Sequence, residues 1–92
     1  MNKVLITDPI SDNGMNILRD NNIEIFYHPD SKLDDLKDII KKVDGWIIRS
    51  GTKISNDLIN SAVELKVIGR AGVGVDNIDI NAATDRGVVV MN

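Results

Sequence analysis

Five short runs rich in aliphatic and β-branched residues, at 3–7, 23–27, 45–49, 66–69 and 88–91, recur along the chain, each stopped by proline, glycine or polar residues. The segments between them carry helical spacing of apolar residues. Strands that alternate with helices pair in parallel, because a helical crossover returns the chain to the same end of the sheet, and such crossovers are right-handed. The pattern predicts an α/β fold: a doubly wound, five-stranded parallel sheet of order 2-1-3-4-5 with helices on both faces. The mixed run Ile23-Glu24-Ile25-Phe26-Tyr27 suits an edge.

The helices announce themselves by their ends. Ser11 can cap the first, which Asn21-Asn22 terminates. Gly14 weakens that helix and predicts a close packing contact. Ser31 with Asp34 resembles a capping box for a second helix, whose Leu33, Leu36, Ile39, Ile40 and Val43 share a face. Lys37, Lys41 and Lys42 read as its solvated side. Ser55 can cap a third helix bearing Leu58, Ile59 and Ala62, and Asn77 a short fourth through Ala83, with Gly87 beyond its end. Only 3% of residues are aromatic, so the core is aliphatic with Trp46 as its large ring.

Composition removes several function classes. A net charge of −3 argues against nucleic acid or an anionic membrane as partner. Without cysteine there is no disulfide and no thiol chemistry. No window is long and apolar enough for a membrane span, and the N-terminus lacks a basic start followed by a long apolar core, so a cytoplasmic location is expected. The lone His28 has no second ligand or fixed carboxylate in sequence reach, and no metal site is expected. Asp76 and Asp79 suit a helix start and are weak catalytic candidates.

Ligands of such sheets bind where the strands end. There the sequence gathers Asp8-Pro9, Arg49-Ser50-Gly51-Thr52 and the glycine-rich turn at 69–79. Gly72 and Gly74 allow main-chain amides to converge on an anion, or serve only as a tight strand-to-helix turn. Arg49 and Arg70 follow neighbouring strands and are expected side by side, where mutual repulsion favours an anion between them. The alternative pairs one or both with Asp8 or Asp76. A dinucleotide fingerprint fails, because its third glycine position holds Asn77 and the loop follows the fourth strand. A triphosphate loop fails for want of its lysine and hydroxyl residue, and a phospho-accepting receiver fails because Arg49 stands where its aspartate would be. The loop at 9–14 is also a poor match to the serine- and threonine-rich phosphate loop of a flavodoxin.

Arg70-Ala71-Gly72-Val73-Gly74-Val75-Asp76-Asn77-Ile78-Asp79, followed by Asn81-Ala82-Ala83-Thr84 and Gly87-Val88-Val89-Val90-Met91-Asn92, resembles the substrate-domain signature of the NAD-dependent D-2-hydroxyacid dehydrogenases. The segments at 3–8 and 46–53 fall in family order, so the resemblance covers the whole chain. It implies a single flavodoxin-like domain over 1–92, the first lobe of a substrate-binding domain whose nucleotide-binding domain is absent, so that no catalytic residue lies in this chain and it is inactive alone. Arg49, Ser50, Arg70, Gly72, Val73 and Gly74 would contact a small acidic, phosphoglycerate-like substrate. Val73 would face the nicotinamide of NAD in the full-length protein, while the chain alone would bind no cofactor. Self-association through the face that meets the missing domain is a secondary expectation. Two other readings stay open: a free-standing module for small anions and a non-catalytic corepressor-type relative.

Overall fold

The computed structural model describes residues 2–71 and 77–91. Each apolar run forms a short strand: β1 (Lys3–Ile6), β2 (Glu24–Tyr27), β3 (Gly45–Ile48), β4 (Val67–Arg70) and β5 (Val89–Met91). All pairings are parallel and the order is β2-β1-β3-β4-β5, with β2 at an edge as expected.

Among the described residues four helices lie in the crossovers: α1 (Asp12–Asp20), α2 (Lys37–Ile40), α3 (Asn56–Ser61) and α4 (Ile80–Asp85). Ser11 and Ser55 cap α1 and α3, their hydroxyls accepting from the amides of Gly14 and Leu58. Asn22, at φ 58°, turns the chain after α1, and Gly87, at φ 72°, does so after α4.

Two capping assignments are corrected. Ser31 caps nothing: Lys32 precedes a 3-10 turn, Leu33–Leu36, without a side-chain cap bond, and only one α-turn follows as α2. An uncapped start leaves the first amides unpaired, and the tighter 3-10 turn takes over there. At α4 the cap is Asp79, whose carboxylate accepts from the amide of Ala82 at 3.0 Å, while Asn77 is engaged elsewhere. The close contact expected at Gly14 is also absent. A Cβ there would meet Ile10 Cδ1 at 3.4 Å, an ordinary van der Waals distance.

The two faces of the sheet are unequal. Right-handed crossovers send α1 to one side and the helices of the remaining crossovers to the other. On the second side Leu5, Trp46, Ile48 and Ile68 pack with Leu36, Ile40, Val43, Ile59, Ala62, Leu65, Ala82 and Ala83 in one buried cluster. Burying each of these side chains contributes roughly 1.5–3 kcal/mol for the larger ones. On the α1 side the register lines up Val4, Gly45, Val67 and Val89 in one row and Ile6, Ile47, Gly69 and Met91 in the next. There α1 buries no residue fully; Ile17 is 63% exposed, Val89 57% and Met91 54%. An open groove of ≈ 420 Å³ runs between α1 and β3, lined by Ile10, Gly14, Ile17, Leu18, Ile47, Arg49 and Ala71. Among the described residues no helix is long and apolar enough to cross a membrane.

Candidate functional site

Asp8 lies two residues past β1, after Thr7, and Pro9 prevents the strand from continuing. Its carboxylate turns under the next strand's loop and is buried. One oxygen, Oδ2, accepts from the amide of Arg49 at 2.7 Å and from that of Thr52 at 2.9 Å. The other lies against Gly51, where a Cβ would come within 2.7 Å of Oδ1. Amide bonds to an ionised acceptor contribute roughly 1.5–3 kcal/mol each, enough to offset much of the carboxylate's desolvation.

Beneath this clasp the buried indole of Trp46 donates from Nε1 to Thr7 Oγ1 at 2.9 Å, and the Thr7 and Thr52 hydroxyls are 2.8 Å apart. The indole is a donor only, so the direction of the first bond is fixed. A polar chain thus descends from the site into the core.

From the opposite side comes Asn77. Its Nδ2 donates to the carbonyls of Arg49, at 2.7 Å, and Thr52, while its Oδ1 accepts from Arg70 Nε at 2.8 Å. Guanidinium is donor-only and carbonyl acceptor-only, so the carboxamide has a single consistent orientation. The main chain reinforces this: Ile54 donates to the carbonyl of Asn77 at 2.8 Å, Asp79 to that of Ile54 at 3.0 Å, and Ile54 and Ile78 form a parallel bridge. Arg49 and Thr52 are therefore each held at the amide by Asp8 and at the carbonyl by Asn77, leaving Ser50 and Gly51 exposed at the tip of the loop between them.

The two arginines do reach the same edge of the sheet, but not side by side. Arg70 is the last residue of β4 and pairs in register with Ile48. Arg49 lies one residue past the end of β3, so continued alternation sends its side chain to the α1 face, where it lines the groove with Ile47 and Ala71. There Arg49 Nη1 reaches the carbonyl of Pro9 at 3.5 Å. Two cations held separately on the two sides of one edge replace the mutually repelling pair expected from strand order. The proposed pairing of an arginine with Asp8 is not what forms either, since Asp8 meets the main chain of Arg49. Gly72, Val73, Gly74 and Asp76, and with them the anion loop, the nicotinamide contact and the alternative Asp76 pairing, lie outside the described residues. No cluster of three or more metal-ligating side chains occurs among the described residues.

Sequence reasoning missed the roles of Asp8 and Asn77. An acid directly after a strand, facing a Ser-Gly-Thr loop after its neighbour, was the available sign for Asp8. For Asn77 the sign was a second capping residue, Asp79, two positions later, which frees the asparagine for another task.

The catalytic-domain model of the D-isomer specific 2-hydroxyacid dehydrogenases matches residues 4–92. The D-3-phosphoglycerate dehydrogenase of Archaeoglobus fulgidus is 46% identical over 90 residues, which are 98% of this chain and 17% of that protein. Among solved structures, the NAD+-bound 3-phosphoglycerate dehydrogenase of Entamoeba histolytica superposes with a TM-score of 0.84 at 35% identity, over 98% of this chain and 32% of that one. A Pyrococcus horikoshii protein superposes at 0.90 with 29% identity, over 100% of this chain and 28% of that one. The chain thus spans about a sixth of the length of the curated relatives it matches. With a family model covering nearly all of it and a solved relative that superposes over 98% of it, the chain belongs to the D-isomer specific 2-hydroxyacid dehydrogenases.

Proposed function

We propose that this chain is the first lobe of the substrate-binding domain of an NAD-dependent D-3-phosphoglycerate dehydrogenase, the enzyme of the first step of serine biosynthesis in the cytoplasm, and that it does not turn over substrate alone. The observation that carries the reading is the carboxyl edge itself: Arg49, Ser50 and Arg70 reach it from neighbouring strands, the two arginines on its two sides, held by Asp8 and Asn77. Two separately held cations suit a substrate with a negative group at each end, as 3-phosphoglycerate has. The relatives' names favour the same substrate.

In this reading Arg49, Ser50, Arg70 and Gly72 line the substrate's pocket, and the amides around Val73 and Gly74 receive its carboxylate. Val73 faces the nicotinamide. When bound, NAD accepts the hydride from the hydroxyl-bearing carbon. The dinucleotide loop and the proton-transfer residues belong to the nucleotide-binding domain of the longer protein, which makes that domain the chain's first partner.

Titration of the 92-residue chain with 3-phosphoglycerate, followed by amide chemical shifts, tests the assignment. Perturbations should centre on 49–52 and 70–76, saturate with a dissociation constant near a millimolar (about 4 kcal/mol), and weaken with salt. Shifts centred elsewhere, or an Arg70→Ala variant that titrates like the parent, would overturn it. Calorimetry with millimolar NAD should give no saturable heat; one-to-one binding would reject the fragment reading.

A further inference from the structure

Asn77 touches both halves of the candidate site. Its carboxamide spends its acceptor on Arg70 Nε and both donors on the loop that carries Arg49 and Ser50. Its own carbonyl is fastened to Ile54, so the side chain starts from a fixed base. A carboxamide is planar and stiff, and it therefore works as a spacer of set length between the guanidinium of Arg70 and the main chain of residue 49. Because Arg49 and Arg70 leave the sheet on opposite faces, nothing in the strand ladder alone fixes how far apart their charges are presented.

We infer that Asn77 is a positioning residue that sets how far the Arg70 guanidinium stands from the 49–52 loop, and that it thereby selects anions with two separated negative groups over anions with one. The inference rests on the substrate reading above and goes further in giving the discrimination to a residue that itself touches no substrate. A single-headed anion needs one cation and is indifferent to the distance between two. A double-headed one gains its second contact only when the distance fits, so positioning error is felt by that ligand alone.

Inorganic phosphate and 3-phosphoglycerate separate the cases. In the 92-residue chain, Asn77→Ala should raise the dissociation constant of 3-phosphoglycerate about tenfold while that of inorganic phosphate changes less than about twofold. The loss should vanish in an Arg70→Ala background, where there is no longer a spacing to set. A merely structural loosening would weaken both anions alike and persist in that background, and that result overturns the inference while leaving the substrate reading intact. If the parent chain shows no response to 3-phosphoglycerate at 49–52 and 70–71, both fall together. Should Asn77→Ala fail to give the Trp46 unfolding transition, the parent chain still decides: the Asn77 side-chain amide and the Arg70 Nε–H signals must move with 3-phosphoglycerate along the one saturation curve that the amides of 49–52 follow. Independent curves reject the spacer role.

Discussion

Asp8 has one oxygen on two amides and the other pressed to a glycine, so the same carboxylate dictates both the path of the 49–52 loop and the residue type within it. A Cβ at position 51 would sit 2.7 Å from Asp8 Oδ1, closer than any packing tolerates, and that oxygen belongs to a carboxylate whose other oxygen is fixed by the clasp. Gly51→Ala should therefore destabilise by about 1–3 kcal/mol, read as a lowered denaturant midpoint with unchanged slope. Asp8→Ala should cost at least about 2 kcal/mol, since it leaves two inward amides without an acceptor. A midpoint within error of the parent for either variant would show that the loop relaxes freely. Much of this detail was closed to sequence reading for a physical reason. Arg49, Ser50 and Arg70 declare themselves by charge and by standing at a strand's end, whereas Asp8 and Asn77 grip the 49–52 loop by its main-chain groups, which have no signature in a sequence.

At the level of elements, hydroxyl caps before apolar periodicity were legible, and Ser11 and Ser55 do what their positions promise. The second helix was over-read. Leu33, Leu36, Ile39 and Ile40 keep helical spacing, yet a 3-10 turn satisfies the first half of that pattern nearly as well, and Ser31 is not placed to arrest it. Ser31→Ala should then leave stability within about 0.5 kcal/mol of the parent, while Ser11→Ala or Asp79→Ala should each cost about 1 kcal/mol. An equal loss in all three would restore the cap at Ser31. Gly14 makes a complementary case. With only ordinary contacts awaiting a Cβ, Gly14→Ala should stabilise α1 by about 0.5–1 kcal/mol, seen as a higher thermal midpoint; a drop would mean that the groove beside α1 closes on that position.

For the molecule as a whole, strand order was readable because alternation and handedness leave few topologies, and the unequal covering of the two faces follows from the same rule. The buried cluster spans all three helices of one side, so the chain should unfold in one transition, with Trp46 fluorescence and far-ultraviolet circular dichroism coincident; separated transitions would mean that this lobe needs the rest of the protein to fold. The exposed Val89 and Met91 on the other side should produce weak self-association, visible as a sedimentation coefficient that rises with concentration and is suppressed by Met91→Lys. A different kind of consequence follows from the clasp at the carboxyl edge. Asp8 and Asn77 grip residues 49 and 52 by amides and carbonyls that every residue except proline carries, so the loop's path is independent of the side chains it displays. Positions 49 and 50 are in that sense an exchangeable cassette: Gly51 is held by sterics and Thr52 by its hydroxyl bond to Thr7, but residues 49 and 50 are free to change chemistry, and a lineage can try new substrates there without first re-evolving the scaffold.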